Sequence, residues 1–247
     1  MRRLTLFLLA SAFWLRADGV ADLRTALGRL PGTTALRGTL EVKRWSQNGE
    51  GKEAIERSGQ ASAWVEDGPL GLRMSWDRSL LGVASQEARA SRKDPTAKTP
   101  ATTGLGALSP KLVTEQINAA ETVASQLEHA SFLSETRESW HGKPARLLLF
   151  NLSIKGLGER ERKYVKDFSG LAQVWIDEDG TPLAATTKVR VKGRAFLVVS
   201  FSQEQEESSA FQKVGDRLVC VRTELTSSGS GAGEKGKTHN VTTFAIQ

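Results

Sequence analysis

The sequence predicts a mainly β protein: a single, strongly curved antiparallel sheet, an open or incomplete barrel of about ten or eleven strands with helices covering its open mouth. Three observations support this prediction. Segments of alternating apolar and polar residues recur along the chain, turn signals separate them, and one longer helical segment interrupts the series. A sheet of this width must curl, because a flat one would leave its apolar face uncovered.

The clearest strand pattern lies at 171–201, where the sequence predicts three consecutive antiparallel strands. Asp179-Gly180 is predicted to close the first hairpin as a two-residue turn, because this pair accepts positive φ. The second strand alternates small or apolar residues with cations such as Lys188 and Arg190, so one face is dry and one is wet. The third, Ala195–Phe201, is apolar on both faces and is predicted to be the most central of the three.

The first nineteen residues are typical of a secretory signal peptide. Arg2 and Arg3 precede an apolar run, 4–15, and small residues at positions 17 and 19 favour cleavage after Gly19. The run is too short to span a bilayer comfortably, and an uncleaved anchor is the alternative interpretation. Loss of 1–19 removes three arginines and one aspartate, so the net charge falls from +6 to +4. We therefore expect a periplasmic, soluble domain over 20–247.

The single cysteine supports an exported domain that is not lipidated and argues against an internal disulfide. Cys220 is far from the cleavage point, so lipidation there is not expected, and one cysteine cannot form an internal disulfide. Its strand-like surroundings predict a buried, small hydrophobic side chain and not a reactive thiol.

The N-terminal third is predicted to be one helix followed by three strands. Val20–Leu30 has leucines at helical spacing and ends at Pro31-Gly32. Alternation then predicts strands at 33–46, 52–65 and 70–76.

The middle of the chain is predicted to carry the cover of the sheet. Residues 89–106 are rich in Ala, Thr, Lys, Pro and Ser, which predicts a flexible insertion. Ser109-Pro110 favours a helix start, and the apolar stripe that follows predicts one lid helix over 109–130. A hairpin of strands 132–140 and 145–154 comes next. Near the C-terminus, the glycine-rich 227–237 predicts a flexible loop before a last strand.

No residue pattern indicates catalysis, a metal site or a cofactor. His129, His141 and His239 lack metal-binding spacing, and no GxSxG elbow or phosphate-binding glycine loop occurs. The Glu204–Glu207 cluster could bind calcium, but a solvated hairpin is the favoured interpretation. The cations from Lys188 to Arg194 could attract anionic lipid or polyanions, although an ordinary charged strand face is favoured. A nucleic-acid partner is not expected, since no recognition motif is present.

The tryptophans are the remaining candidates for a binding site. Trp45, Trp64, Trp76 and Trp175 lie in or beside predicted strands, as does Trp140. Each alone is typical of core or interface packing. Together, in an imperfectly closed sheet, they could line an apolar cavity.

The order of elements resembles a known family, the periplasmic outer-membrane lipoprotein-sorting carriers of the LolA type. The residues that carry the resemblance are the N-terminal helix DLRTALGRL, the long first strand ALRGTLEVKRW, the helical insert after the third strand, and the hairpin VWIDEDGTPLAATTKV. The resemblance implies an incomplete barrel whose apolar lumen receives acyl chains.

Three functional hypotheses follow. The first is a monomeric, non-enzymatic periplasmic carrier or binder of lipoprotein acyl chains or lipids, with Trp45, Trp64, Trp76 and Trp175 lining the cavity and Leu112, Ile117 and Leu127 on the lid. The second is an interaction or sensor module that uses the same fold to bind envelope proteins. The third, an exported hydrolase, requires a buried polar cluster around one histidine.

Overall fold

The computed structural model describes residues 18–195 and 199–247. Within them, ten strands form one antiparallel sheet in the order β3-β2-β1-β10-β9-β8-β7-β6-β5-β4. The strands are β1 (Leu36–Asn48), β2 (Ile55–Asp67), β3 (Arg73–Ser75), β4 (Ser131–Trp140), β5 (Lys143–Asn151), β6 (Val165–Ile176), β7 (Pro182–Ala195), β8 (Val199–Val214), β9 (Arg217–Gly231) and β10 (Glu234–Ile246). Because β3 and β4 lie at opposite edges, the sheet is curved but not closed, as the sequence predicted.

Most of the helices lie on one face of this sheet, the inner face. They are α1 (Gly19–Gly28), α2 (Arg78–Lys93), α3 (Pro100–Ala107), α4 (Pro110–Ile117), α5 (Ala119–Leu127) and the one-turn α6 (Glu159–Arg162). In one core cluster Val113 of α4 packs with Leu40 and Val65 of the sheet, and in another Leu23 of α1 packs with Leu148. The apolar half of the sheet is therefore covered, while the half formed by the other strand ends is lined by small and polar residues.

The predicted N-terminal helix is confirmed as α1. Asp18 caps it, since its carboxylate accepts hydrogen bonds from the backbone N–H groups of Val20 and Ala21 at 3.1 and 3.2 Å. The N–H of Gly19 donates to Glu135 Oε2 at 3.0 Å. The predicted signal peptide covers residues 1–19. Of these, 1–17 lie outside the described residues, and the structure describes only Asp18 and Gly19. Cleavage after Gly19 remains a prediction.

The prediction of a loop at 89–106 is wrong, because α2 continues to Lys93 and α3 occupies Pro100–Ala107. Close packing on the sheet explains why this segment is ordered as a helix. Gly104 of α3 lies so near β2 that a Cβ there would be 2.3 Å from the carbonyl carbon of Gln60. The carboxylate of Glu87 on α2 accepts from Ala101 N and Thr102 N at 3.0 and 2.8 Å, which satisfies the first turn of α3.

The lid helix predicted over 109–130 is two helices. Its start is confirmed, as Ser109 caps α4 by accepting from Leu112 N at 3.1 Å. At Asn118 the backbone leaves the helical region (φ −124°, ψ 49°), so α4 ends and α5 begins. The Asn118 side chain turns inward and accepts a hydrogen bond from Arg217 Nη1 at 2.7 Å. Sequence periodicity alone could not reveal this break, because the apolar stripe runs through it.

Three hairpins differ from their predictions. The flexible loop expected at 227–237 is mostly paired strand, and the turn lies at Ala232-Gly233, both with positive φ. The prediction of a single strand at 195–201 is wrong, because Ala195 ends β7 and pairs with Val199, the first residue of β8. Residues 196–198 are outside the described residues. The β6–β7 connection contains Asp179-Gly180 as predicted. However, it is a longer turn, in which Asp177 N donates to Thr181 O at 3.0 Å.

Candidate functional site: an apolar groove and a polar cavity

Two concave regions lie between the helices and the inner face of the sheet, and α5 separates them. One side of α5 faces an apolar groove shared with α1, and another side faces a polar cavity shared with α4. Neighbouring residues of α5 therefore line different regions. Ala120 and Glu121 line the apolar groove, whereas Thr122 and Val123 line the polar cavity.

The apolar groove has a volume of about 740 Å³. Its floor is formed by buried side chains, and its walls by half-exposed leucines of α1 and α5 and by the start of β4. The apolar lining is Val20, Leu23, Leu27, Leu30, Ala120, Ala124, Leu127, Ala130, Phe132, Phe150 and Leu218. This volume lies within the range of small-molecule sites, about 300 to 1,000 Å³.

Two phenylalanines form the end wall of the groove. The rings of Phe132 and Phe150 pack edge to face with centroids 5.9 Å apart. Phe150 is buried, whereas Phe132 is 47% exposed, so its ring presents apolar surface to the groove and to solvent.

Charged side chains stand at the rim of the groove. Arg24 on α1, Glu121 on α5 and Glu128 directly after α5 are exposed and line its opening. A ligand with an apolar body and a polar end would place that end at this rim, where charged groups remain hydrated.

Arg217 forms the inner end of the groove and holds its walls together. The side chain is only 2% exposed, and its Nη2 lies 2.8 Å from Asp67 Oδ2. Its Nε donates to Thr34 O at 3.0 Å and its Nη1 to Asn118 Oδ1 at 2.7 Å. One buried guanidinium therefore joins the end of β2, the segment before β1, and the junction of α4 and α5.

The polar cavity is smaller, about 340 Å³, and lies under α4 and α5 against β1 and β7 to β10. Its polar and charged lining is Arg44, Glu115, Gln116, Thr122, Gln126, Thr187, Glu207, Ser209, Thr223, Asn240 and Thr242, and the sulfur of Cys220 also faces it. Burial raises the pKa of the Cys220 thiol, which fits the predicted inert cysteine.

Glu207 is the carboxyl group that β8 contributes to this cavity. Burial first, and then repulsion from Glu115, raise its pKa above the ordinary glutamate value. The neighbouring glutamates lie on the opposite, outer face of β8. There Glu204 pairs with Arg190 at 2.8 Å, and Glu206 pairs with Lys188 at 3.1 Å. The three acidic residues therefore do not share one site, and the outer strand face carries ordinary cross-strand ion pairs.

The tryptophans predicted to line a cavity line neither region. Trp45, Trp64 and Trp175 alternate with inward-facing residues in β1, β2 and β6, so the period of two places them on the outer face. Trp175 packs on Trp140 with centroids 5.0 Å apart and donates to Glu138 Oε2 at 3.1 Å. Trp76 follows β3 and is partly exposed. We therefore assign these residues no role in a cavity.

The predicted lid residues have three different environments. Leu127 lines the apolar groove, Leu112 lines the polar cavity, and Ile117 is 1% exposed in the core. Ile117 is thus a packing residue, and an Asp there would destabilise the fold before it affected any ligand.

Apart from Leu112 and Leu127, sequence reasoning missed the residues that line the two regions. The helical spacing of the leucines in α1 was recognised, but they form a groove only because α5 lies beside them. Gln116 was not singled out because an isolated polar residue on an amphipathic helix is ordinary, and nothing in the sequence places it opposite Asn240 and Glu207.

Two other kinds of feature are absent from the described part of the chain. Across 18–195 and 199–247, no group of three or more His, Cys, Asp or Glu side chains is placed to hold a metal ion. Over the same ranges, none of the helices combines the length and the apolar character needed to cross a membrane.

Comparison with known proteins gives distant likenesses only. No family model matches the chain, and no curated protein matches it. Among solved structures, it is similar to a DUF1329 family protein from Desulfovibrio piger, with 10% identity, a TM-score of 0.31, and 92% of this chain and 90% of that chain covered. It is also similar to a structure described as an outer membrane lipoprotein-sorting protein domain from Vibrio parahaemolyticus, with 12% identity, a TM-score of 0.27, and 93% and 94% covered. A third likeness is to MucB in complex with MucA, with 10% identity, a TM-score of 0.23, and 92% and 93% covered. At these values the likenesses establish neither a family nor a function.

Proposed function

We propose that the protein is an envelope carrier or binder that holds an acyl chain of a lipid or lipoprotein in the groove between α1 and α5. The observation that carries this proposal is the groove itself, about 740 Å³ in volume and lined by apolar side chains from α1, α5, β4 and β5. The export signal predicted at 1–19 and the sequence resemblance to LolA-type carriers support it.

Burial of an acyl chain supplies enough free energy for capture without covalent chemistry. Each methylene removed from water contributes about 0.8 kcal/mol. A segment of about ten methylenes would contribute about 8 kcal/mol before the costs of ordering the ligand and the groove. The charged rim of Arg24, Glu121 and Glu128 keeps a polar head group in water.

The groove also allows release, because its apolar walls are only partly enclosed. Leu27 and Leu127 are half-buried and Ala124 is exposed, so a bound chain would remain accessible along one side. We propose that the protein acts as a monomer in this role, with the ligand passing to another envelope component.

Filling the groove tests the proposal. Ala124→Trp places an indole in the groove from an exposed position of α5, so it should block acyl binding while the protein stays folded. Ser125→Trp is the matched control, because Ser125 is exposed on the same helix and lines neither region. Binding is measured by displacement of a fluorescent fatty acid and by native mass spectrometry after purification from the envelope fraction.

The expected result is at least tenfold weaker binding in Ala124→Trp and unchanged binding in Ser125→Trp. Equal binding by both variants, or no uptake of any acylated probe by the wild-type protein, would refute the groove as an acyl site.

A second candidate function is binding of an envelope protein at the sheet edge. The edge strand β4 has ten residues, and Phe132 and Leu133 near its start are 47% and 52% exposed. Such an edge can accept an added strand from a partner. A proline at a position of β4 whose N–H points away from β5 would block strand addition but leave the groove intact, so loss of partner binding with unchanged acyl binding would identify this second function.

A further inference from the structure

The polar cavity contains hydrogen-bond acceptors that the protein itself leaves unused. Gln116 is 4% exposed, and its Nε2 donates to Thr223 Oγ1 at 3.0 Å. That bond orients the amide, and its Oε1 has no hydrogen-bond partner among the described residues. A buried carbonyl oxygen without a partner is unfavourable, so this atom is suited to a donor from outside the chain.

Two further acceptors line the same cavity from the sheet. Asn240 on β10 has a buried Oδ1 that likewise lacks a partner in the described structure. On β8, the carboxylate of Glu207 has Ser209 Oγ as a hydrogen-bond donor among the described residues, at 3.5 Å, the limit of a hydrogen bond. The helix α4 and two strands thus contribute three acceptors to one space.

The donors nearby are already engaged with one another. Thr223 Oγ1 accepts from Gln116 and lies 3.1 Å from Cys220 Sγ and 3.5 Å from Ser209 Oγ. Because these groups satisfy one another, the buried side-chain atoms of the lining that lack a partner among the described residues are both oxygen acceptors.

The charges in the cavity have a definite arrangement. Among the described lining residues, Glu115 on α4 and Glu207 on β8 are acidic, and Arg44 on β1 is the one cation. Strands β1 and β8 are separated by β10 and β9, so the two strands are three strand spacings, about 14 Å, apart along the curved sheet. The Glu207 end is therefore the negative end.

We propose that this cavity is a second binding site, for a small organic cation that carries several N–H donors, such as an alkyl ammonium or guanidinium compound. The ammonium or guanidinium group would lie at the Glu207 end and donate to Gln116 Oε1. Asn240, which pairs with Arg44 across β10 and β1, would accept from a second N–H donor farther along the ligand. A volume of about 340 Å³ suits a compact molecule. The helix α5 separates it from the groove, so the two sites are independent.

Binding at this site should depend on pH. Glu207 must be ionised to attract a cation, and the raised pKa of its carboxyl group places its titration above that of an ordinary glutamate. The charged groups facing it are Glu115 from α4 and Arg44 from β1, while the lining residues of β7 and β9 are uncharged. Affinity should therefore fall as the solution is acidified toward that titration.

Titration calorimetry of the full chain with 1,4-diaminobutane and agmatine tests the site, with 1,4-butanediol and succinate as neutral and anionic controls. Binding of the amines alone, weakened at least tenfold by Glu207→Gln and by Gln116→Met, is the expected result. Glu206→Gln is the matched control, because its side chain lies on the outer face of the same strand. Circular dichroism confirms that each variant is folded.

Two results would overturn the proposal: no binding of either amine by the folded wild-type protein, or binding that Glu207→Gln and Glu206→Gln change equally. A lysolipid with an ethanolamine head group distinguishes two sources of the ligand. If the lysolipid binds, the natural ligand is an amine carried by a lipid head group. If only the free amines bind, the natural ligand is a soluble amine. Ala124→Trp should leave amine binding unchanged, so failure of the acyl proposal does not affect this one.

Discussion

The guanidinium of Arg217 lies 2.8 Å from the carboxylate of Asp67, and the ion pair closes the inner end of the groove beneath the junction of α4 and α5. Arg217 opens β9 and Asp67 ends β2, two strands that are not neighbours in the sheet. The same guanidinium binds Thr34 and Asn118. The position of α5, and therefore the shape of the groove, depends on this buried cluster.

Arg217→Met should destabilise the fold strongly. It leaves the Asp67 carboxylate partly buried without its partner, which costs about 3 to 5 kcal/mol for buried ion pairs. Urea denaturation measures the change in the free energy of unfolding. Arg29→Ala is the control, since Arg29 and Asp179 form an exposed pair at 3.9 Å that should contribute less than about 1 kcal/mol. Equal losses in the two variants would contradict the role of Arg217.

Asp216→Asn should make stability less sensitive to acid. The hydroxyls of Thr33 and Thr34 donate to the Asp216 carboxylate, as does Thr34 N at 2.7 Å, and these bonds hold the pKa of that carboxyl well below its usual range. A lowered pKa in the folded state means that the contribution is present above the unfolded pKa of about 3.9 and is lost as pH falls below it.

Thermal unfolding between pH 7 and pH 2 tests this expectation. The melting temperature of Asp216→Asn should lie below that of the wild type at pH 7, and the difference should narrow in acid. Asp167→Asn, at an exposed position of β6, provides the comparison. A difference that is constant across the whole range would exclude a contribution from ionised Asp216.

Two glycines of α3 should respond oppositely to alanine. At Gly104 a Cβ would meet the backbone of β2 at 2.3 Å, whereas at Gly106 nothing lies within 4 Å. Gly104→Ala should therefore destabilise the protein by about 1 to 3 kcal/mol through a backbone shift. Gly106→Ala should stabilise it by about 0.5 kcal/mol, since it reduces the entropy of the unfolded chain.

Denaturant unfolding of the two variants measures both changes. Stabilisation by Gly104→Ala would mean that α3 does not pack closely on β2.

Glu207→Gln should stabilise the protein at neutral pH. Because burial raises the pKa of Glu207 in the folded state, the stability linked to this group is fully present below the unfolded pKa of about 4.3 and is lost as pH rises through the folded pKa. Glutamine does not ionise, so the variant does not lose this stability as the pH rises. The melting temperature of the variant should exceed that of the wild type at pH 8, and the two should converge at pH 4. Glu206→Gln, which breaks an exposed pair, should show no such gain.

The elements that sequence analysis predicted correctly have local causes. The helix α1 and the start of α4 follow from leucine spacing, from the stop at Pro31-Gly32, and from Ser109-Pro110, all of which act within a few residues. Strand alternation likewise predicted the open antiparallel sheet. The errors at 89–106 and 227–237 occurred where composition suggested flexibility, but Gly104 packs against β2 and Gly229 and Gly236 pair with each other across a hairpin.

The candidate sites depended on contacts between distant residues. Tryptophans at strand positions suggested a cavity, and only the register of the sheet shows that Trp45, Trp64 and Trp175 face outward. Leu127 was identified in advance, but its neighbours in the groove, Leu27 and Phe132, come from other elements.

The sequence by itself determined the class of fold and the existence of most strands, because alternation, turn residues and helix caps are local properties of the chain. The tertiary structure alone decided the break at Asn118, the burial of Arg217, and the meeting of Gln116, Asn240 and Glu207. Those features arise where strands and helices far apart in sequence are brought together. A buried polar or charged group is stable there only because of the partners that folding supplies.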